Sequence, residues 1–245
     1  MRVVLPRLLM TAGALGGAAA VGFVGLLGER GLAAVLVLAC CFIGFGWTRL
    51  LSVPVGWGVG VVVAVTGAVT VAMSFLPGPN LLGWLPTALA VGVVLAFVHQ
   101  MIRRDGRPRL VESVSATVTG QAVSILGAGW LVALTLAPDG GVNAAGAAGC
   151  AAAMAVAVVP WPRRATVPLG LVAAALGGAA TTAGFASIEV EIGLIIGAAA
   201  GLASLGIDVL FRPAAGDSVR AALAAGVASV MTAGLAAYAM SRFVS

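Results

Sequence analysis

His99-Gln100-Met101-Ile102-Arg103-Arg104-Asp105-Gly106-Arg107-Pro108-Arg109-Leu110-Val111-Glu112 packs four arginines between two long apolar runs. Gly106 and Pro108 mark a turn, and guanidinium groups do not enter hydrocarbon without large cost, so this stretch is a loop at a membrane surface. The runs on either side are then spans. The same alternation extends in both directions: hydrophobic residues make up 61% of the chain, charged ones 9%, and the mean hydropathy is +1.15. A soluble domain is ~45–50% apolar and ~25% charged. Covering ~30 Å of hydrocarbon takes about 20 apolar residues at 1.5 Å rise. On that length the sequence divides into nine spans, at 8 to 28, 31 to 48, 56 to 76, 81 to 101, 112 to 136, 142 to 160, 166 to 186, 190 to 210 and 220 to 240. The expected fold is an all-α, polytopic transmembrane helix bundle, with residues 1 to 245 forming one integral membrane domain.

Turn chemistry supports the cuts at Gly28-Glu29-Arg30-Gly31, Pro77-Gly78-Pro79-Asn80, Pro138-Asp139-Gly140-Gly141 and Pro160-Trp161-Pro162. Orientation follows from the arginines. With the N-terminus in the cytoplasm, Arg2, Arg7, Arg49, Arg103, Arg104, Arg107, Arg109, Arg163, Arg164, Arg212 and Arg220 lie inside, and only Arg30 and Arg242 outside. That is a strong positive-inside bias, and it places the C-terminus outside. Arg2 and Arg7 ahead of an apolar stretch with Ala18-Ala19-Ala20 have the outline of a secretory signal, but further spans follow at once, so an uncleaved first span is expected. Heavy use of Ala, Gly, Val and Arg with no lysine fits a GC-rich bacterial genome, hence a multi-pass protein of the bacterial cytoplasmic membrane.

Much chemistry is excluded. A Walker A loop needs a lysine on the phosphates. One histidine and three cysteines placed in apolar runs make no zinc set, and neither a Ser-His-Asp order nor a G-x-S-x-G elbow occurs. Arginines at helix ends are retained by anionic lipid, so the formal charge of +5 does not point to nucleic acid. Gly193, Gly197 and Gly201, like Gly13 with Gly17 and Gly56 with Gly60, form small-residue ridges suited to close helix packing within the chain, with a homodimer or another membrane protein as the alternative partner.

Two segments on the arginine side carry candidate function. Arg103, Arg104, Arg107 and Arg109 read either as a topology signal or as a site for a lipid phosphate, whose geometry suits guanidinium forks. Glu112 follows them, and His99 reads as an interfacial helix-end residue. The second segment is Gly206-Ile207-Asp208-Val209-Leu210-Phe211-Arg212-Pro213-Ala214-Ala215-Gly216-Asp217-Ser218-Val219-Arg220. Asp208 stands in the last turn of a span with Arg212 four residues on, on the same face, which makes it an ion pair or a cation or substrate ligand. Asp217-Ser218 reads as an N-cap.

In its nine-span layout, its Arg-rich Leu5-Pro6-Arg7-Leu8-Leu9 start, the arginine after the second span and the segment from Ile207 to Ser218, the chain resembles a degenerate form of the phosphatidate cytidylyltransferase family. That family makes CDP-diacylglycerol from CTP and phosphatidic acid. Its members carry in the last cytoplasmic loop a Ser followed by Lys-Arg, then Lys-Asp, His-Gly-Gly, and Asp-Arg with a further Asp. Here only Arg212, near the Lys-Arg pair, and Asp217, in place of the Asp after the second lysine, have counterparts. Nucleotidyl transfer needs carboxylates for metal and cations around the phosphates, so the resemblance implies the fold without the activity. The expectation is therefore a lipid-phosphate-binding or accessory subunit with no cofactor and with anionic membrane lipids as partners. Arg103, Arg104, Arg107, Arg109 and Arg212 would meet the phosphate, and Asp208, Asp217 and Glu112 are candidate cation or substrate contacts. The alternatives are an active, divergent headgroup transferase, which would need Mg2+, and a transporter of a small molecule or lipid.

Overall fold

The computed structural model describes residues 4–53, 56–75, 83–104, 106, 108–184 and 188–244, and among them there is no strand. The helices are α1 (Val4–Gly25), α2 (Glu29–Leu50), α3 (Gly56–Met73), α4 (Trp84–Ile102), α5 (Leu110–Leu126), α6 (Ala128–Leu136), α7 (Gly141–Val158), α8 (Arg163–Thr182), α9 (Val190–Phe211) and α10 (Val219–Val244), with a 3-10 turn at Ala214–Asp217. Among the described residues eight segments are long and apolar enough to cross a membrane, one of them being α5 and α6 together, and α3 is a shorter apolar helix beside them. The protein is an all-α polytopic membrane bundle.

Boundaries differ from the expected ones where backbone chemistry allows a helix to run on. α1 begins four residues early because Pro6 sits in its first turn, where an N–H has no intrahelical partner to lose. α2 starts at Glu29, directly after Gly28 at φ 115°, so Glu29, Arg30 and Gly31 are helical rather than turn. Gly140, at φ 75°, likewise precedes α7. α8 starts at Arg163 and carries Pro168 in its second turn. The turn at Pro77-Gly78-Pro79-Asn80 lies outside the described residues. The expected span 112 to 136 is interrupted at Gly127, where the Trp130 amide bonds to the Gly127 carbonyl at 3.2 Å in place of the usual ladder. Any side chain at Gly127 would strike Met231, and Gly129 lies against the Gly234 backbone, so α6 is steered by its contact with α10.

The long α10 is the axis, packed on α1, α2, α6 and α9. On one side α1, α7, α8 and α9 gather, and on the other α2, α3, α4 and α5. Two indoles are sunk in the core, with Trp47 Nε1 donating to the Ala116 carbonyl at 2.8 Å and Trp130 Nε1 to the Val230 carbonyl at 2.9 Å. Buried N–H groups without such partners would be costly, so each bond fixes the register of two spans. The glycine ridges pack within the chain: Gly193, Gly197 and Gly201 face α8, Gly13 and Gly17 face α10, and Gly60 faces Gly44 of α2.

Candidate functional site at the arginine-ringed face

One end of the bundle collects the guanidinium groups. Arg7, near the start of α1, donates to the Val159 carbonyl after α7, and Arg109, ahead of α5, donates to the Ser52 carbonyl after α2 at 3.0 Å. His99 of α4 lies against Gly58 of α3, and Thr166 of α8 borders the same recess as Asp208 and Arg212 of α9. Arg49 at the end of α2 and Arg220 at the start of α10 line one groove with Trp57. These contacts bring Arg7, Arg49, Arg103, Arg104, Arg109, Arg164, Arg212 and Arg220 to one face, while Arg30 and Arg242 belong to the opposite helix ends.

The expected site residues divide by what already holds them. Asp208 is buried at 3% exposure and is gripped by Arg212, with Nε on one carboxylate oxygen at 3.2 Å and Nη2 on the other. The two-pronged fork answers the cost of sinking a carboxylate to that depth, and it gives the ion-pair alternative for Asp208 its geometry. The recess beside the pair has a volume of only about 20 Å³, room for roughly one water, so it admits no headgroup. Glu112 is paired with Arg109 at an exposed position. Arg103 is turned inward, 9% exposed, and donates to Gln100 Oε1 at 2.6 Å. Arg104 is exposed. Arg107 and the side chain of Asp217 lie outside the described residues. Ser218 does cap α10, accepting the Ala221 amide at 3.1 Å.

Asp208 and Glu112, the two candidate carboxylates whose side chains are described, do not converge. Asp208 belongs to the α8 and α9 side, Glu112 to the α2 and α5 side, and the two ion pairs share no residue. Among the described residues no three of His, Cys, Asp or Glu come together as a metal set.

Two features escaped the sequence. The first is the groove of about 480 Å³ between α2 and α3, where Arg49 and Arg220 stand over apolar walls. Arg49 and Arg220 read in sequence only as topology markers, because nothing in their spacing brings positions 171 residues apart together. The second is Gln121, fully buried, whose Nε2 donates to Thr66 Oγ1 at 3.1 Å and to the Gly92 carbonyl at 2.8 Å while its Oε1 has no partner. A lone Gln in a long apolar span was its available signal.

No protein-family model, no curated protein and no solved structure matches this chain.

Proposed function

We propose that this is a non-catalytic membrane protein that holds a phosphate-bearing lipid at its arginine-ringed face, as a binding or accessory subunit in a phospholipid-handling assembly. One observation carries the reading. On that face each carboxylate whose side chain is described, Asp208 and Glu112, is already taken by an arginine, while Arg49, Arg104, Arg164 and Arg220 have no acid partner among the described residues. Surplus guanidinium at a bilayer surface attracts anionic headgroups by about 1 kcal/mol per charge. The absence of lysine, together with the engagement of Asp208, argues against nucleotidyl transfer. The positive-inside rule puts this face in the cytoplasm.

The test pairs binding with turnover and topology. Purified protein in nanodiscs is expected to enrich phosphatidic acid over phosphatidylcholine, more weakly as salt rises, and to form no CDP-diacylglycerol from CTP. Reporter fusions after Arg109 and Arg164 should report cytoplasm, and a fusion after Gly141 the outside. Metal-dependent turnover abolished by Asp208→Asn would overturn the non-catalytic reading, and equal retention of both lipids would overturn the binding.

A further inference from the structure

The groove between α2 and α3 has the layered chemistry of a phospholipid. Its floor is backbone: Gly44 and Gly60 touch so closely that a Cβ on either would collide with the other's carbonyl. Val61 and Ala64 make an apolar wall. At the end nearest the arginine-ringed face the lining changes to Thr48, Arg49, Trp57 and Arg220, with no carboxylate among the lining residues. Trp57 is 85% exposed at the start of α3, the position in which an indole settles at a headgroup boundary. The Arg220 guanidinium lies over the Phe45 ring, its Cζ 4.4 Å from the ring centroid, a cation–π contact that holds it at the groove. It sits in the first turn of α10, so the positive end of that helix adds to its charge. Arg49 reaches the same mouth from the last turn of α2.

We propose that this groove is a specific site for one anionic glycerophospholipid, with its phosphate between Arg49 and Arg220 and one acyl chain along Gly44, Gly60, Val61 and Ala64. The assignment rests on the lipid-phosphate reading above and narrows it to residues outside the 103 to 109 loop. Charge complementarity selects the occupant. A neutral lipid would leave two guanidiniums unanswered, and a soluble phosphate would leave about 480 Å³ of apolar groove unfilled. A second apolar helix would fill the groove but would offer nothing to the arginines.

Native mass spectrometry of the delipidated full-length chain, titrated with phosphatidic acid, phosphatidylcholine or glycerol 3-phosphate, tests this. Wild type is expected to hold one phosphatidic acid selectively. R49Q/R220Q should bind it about twenty-five-fold more weakly, the product of roughly fivefold for each guanidinium. Val61→Trp fills the groove from an exposed position, so folding is spared; it should weaken phosphatidic acid at least tenfold and leave glycerol 3-phosphate unchanged. Selectivity retained by R49Q/R220Q but lost in R104Q/R164Q would overturn this site while leaving the broader lipid reading intact. No selectivity in wild type would remove both, and a wild-type dimer dissociated by Val61→Trp would hand the groove to a second copy.

Discussion

Helices α7, α8 and α9 meet backbone to backbone, whereas α3 and α4 meet across a gap. In the first region Gly149 lies on Gly197, Gly178 on Gly193 and Gly177 on the Ala148 carbonyl, so there is no room for a side chain between the spans. In the second, about 260 Å³ opens among Val65, Val69, Val91 and Leu95, and only 22% of the apolar window of α4 is buried. Lipid is as apolar as leucine, so hydrophobic burial cannot hold either region together. Close approach does it in one. In the other, a hydrogen-bonded amide does it: Gln121 of α5 reaches Thr66 of α3 and Gly92 of α4 at once. The loose region borders the groove between α2 and α3, and the tight one is where the buried ion pair resides.

The contrast can be broken most forcefully at Gly197. Leucine there would meet the Ala174 carbonyl and the Gly178 backbone, which cannot rotate away, so a loss above about 3 kcal/mol is expected and folded yield in detergent should collapse. Gly206 on the same helix has open space where its Cβ would be, and Gly206→Leu should stay within about 0.5 kcal/mol of wild type. Similar yields for the two would mean that backbone contact does not hold α8 to α9.

Next in size is Arg212→Ala, which takes the fork from a buried acid. A loss of about 3 kcal/mol in thermal unfolding is expected, partly recovered by adding Asp208→Asn, since a neutral amide no longer needs a counter-charge. An additive double variant would show the two side chains to be independent.

The smallest effect is expected at Gln121, where leucine removes two hydrogen bonds but also the unpartnered Oε1. A cost of about 1 kcal/mol follows, and it should be local, with faster amide exchange in α4 and none in α8. Unchanged exchange in α4 would show that the amide does not fasten it.

Sequence periodicity and punctuation placed the nine apolar helices of the described residues, α5 and α6 counted together, eight of them long enough to cross a membrane, because span length is a property of each segment alone. The Asp208 and Arg212 pair was legible for the same reason, being four residues apart on one helix. The Ser218 cap is equally local. What stayed hidden depends on lateral arrangement. With 35 glycines, ridges occur on many faces, and none says which neighbour it will meet. Gly127, where the span is interrupted, lies against Met231 of α10, and the inward turn of Arg103 comes from Gln100, so neither contact shows in a hydropathy profile. The groove over Gly44 and Gly60 needs three helices in register before it exists.

Leu110–Leu136, though broken at Gly127, would measure about 40 Å if straight, and 78% of its most apolar stretch is buried, so protein rather than lipid surrounds it. α3 measures about 27 Å and turns Trp57, Val61, Val65 and Val69 outward. Hydrocarbon is about 30 Å thick, and a mismatch of a few Å is met by local thinning or by snorkelling of flanking residues, at a fraction of a kcal/mol per Å. Such thinning would fall at the rim of the α2 and α3 groove, where lipids with shorter tails would fit better.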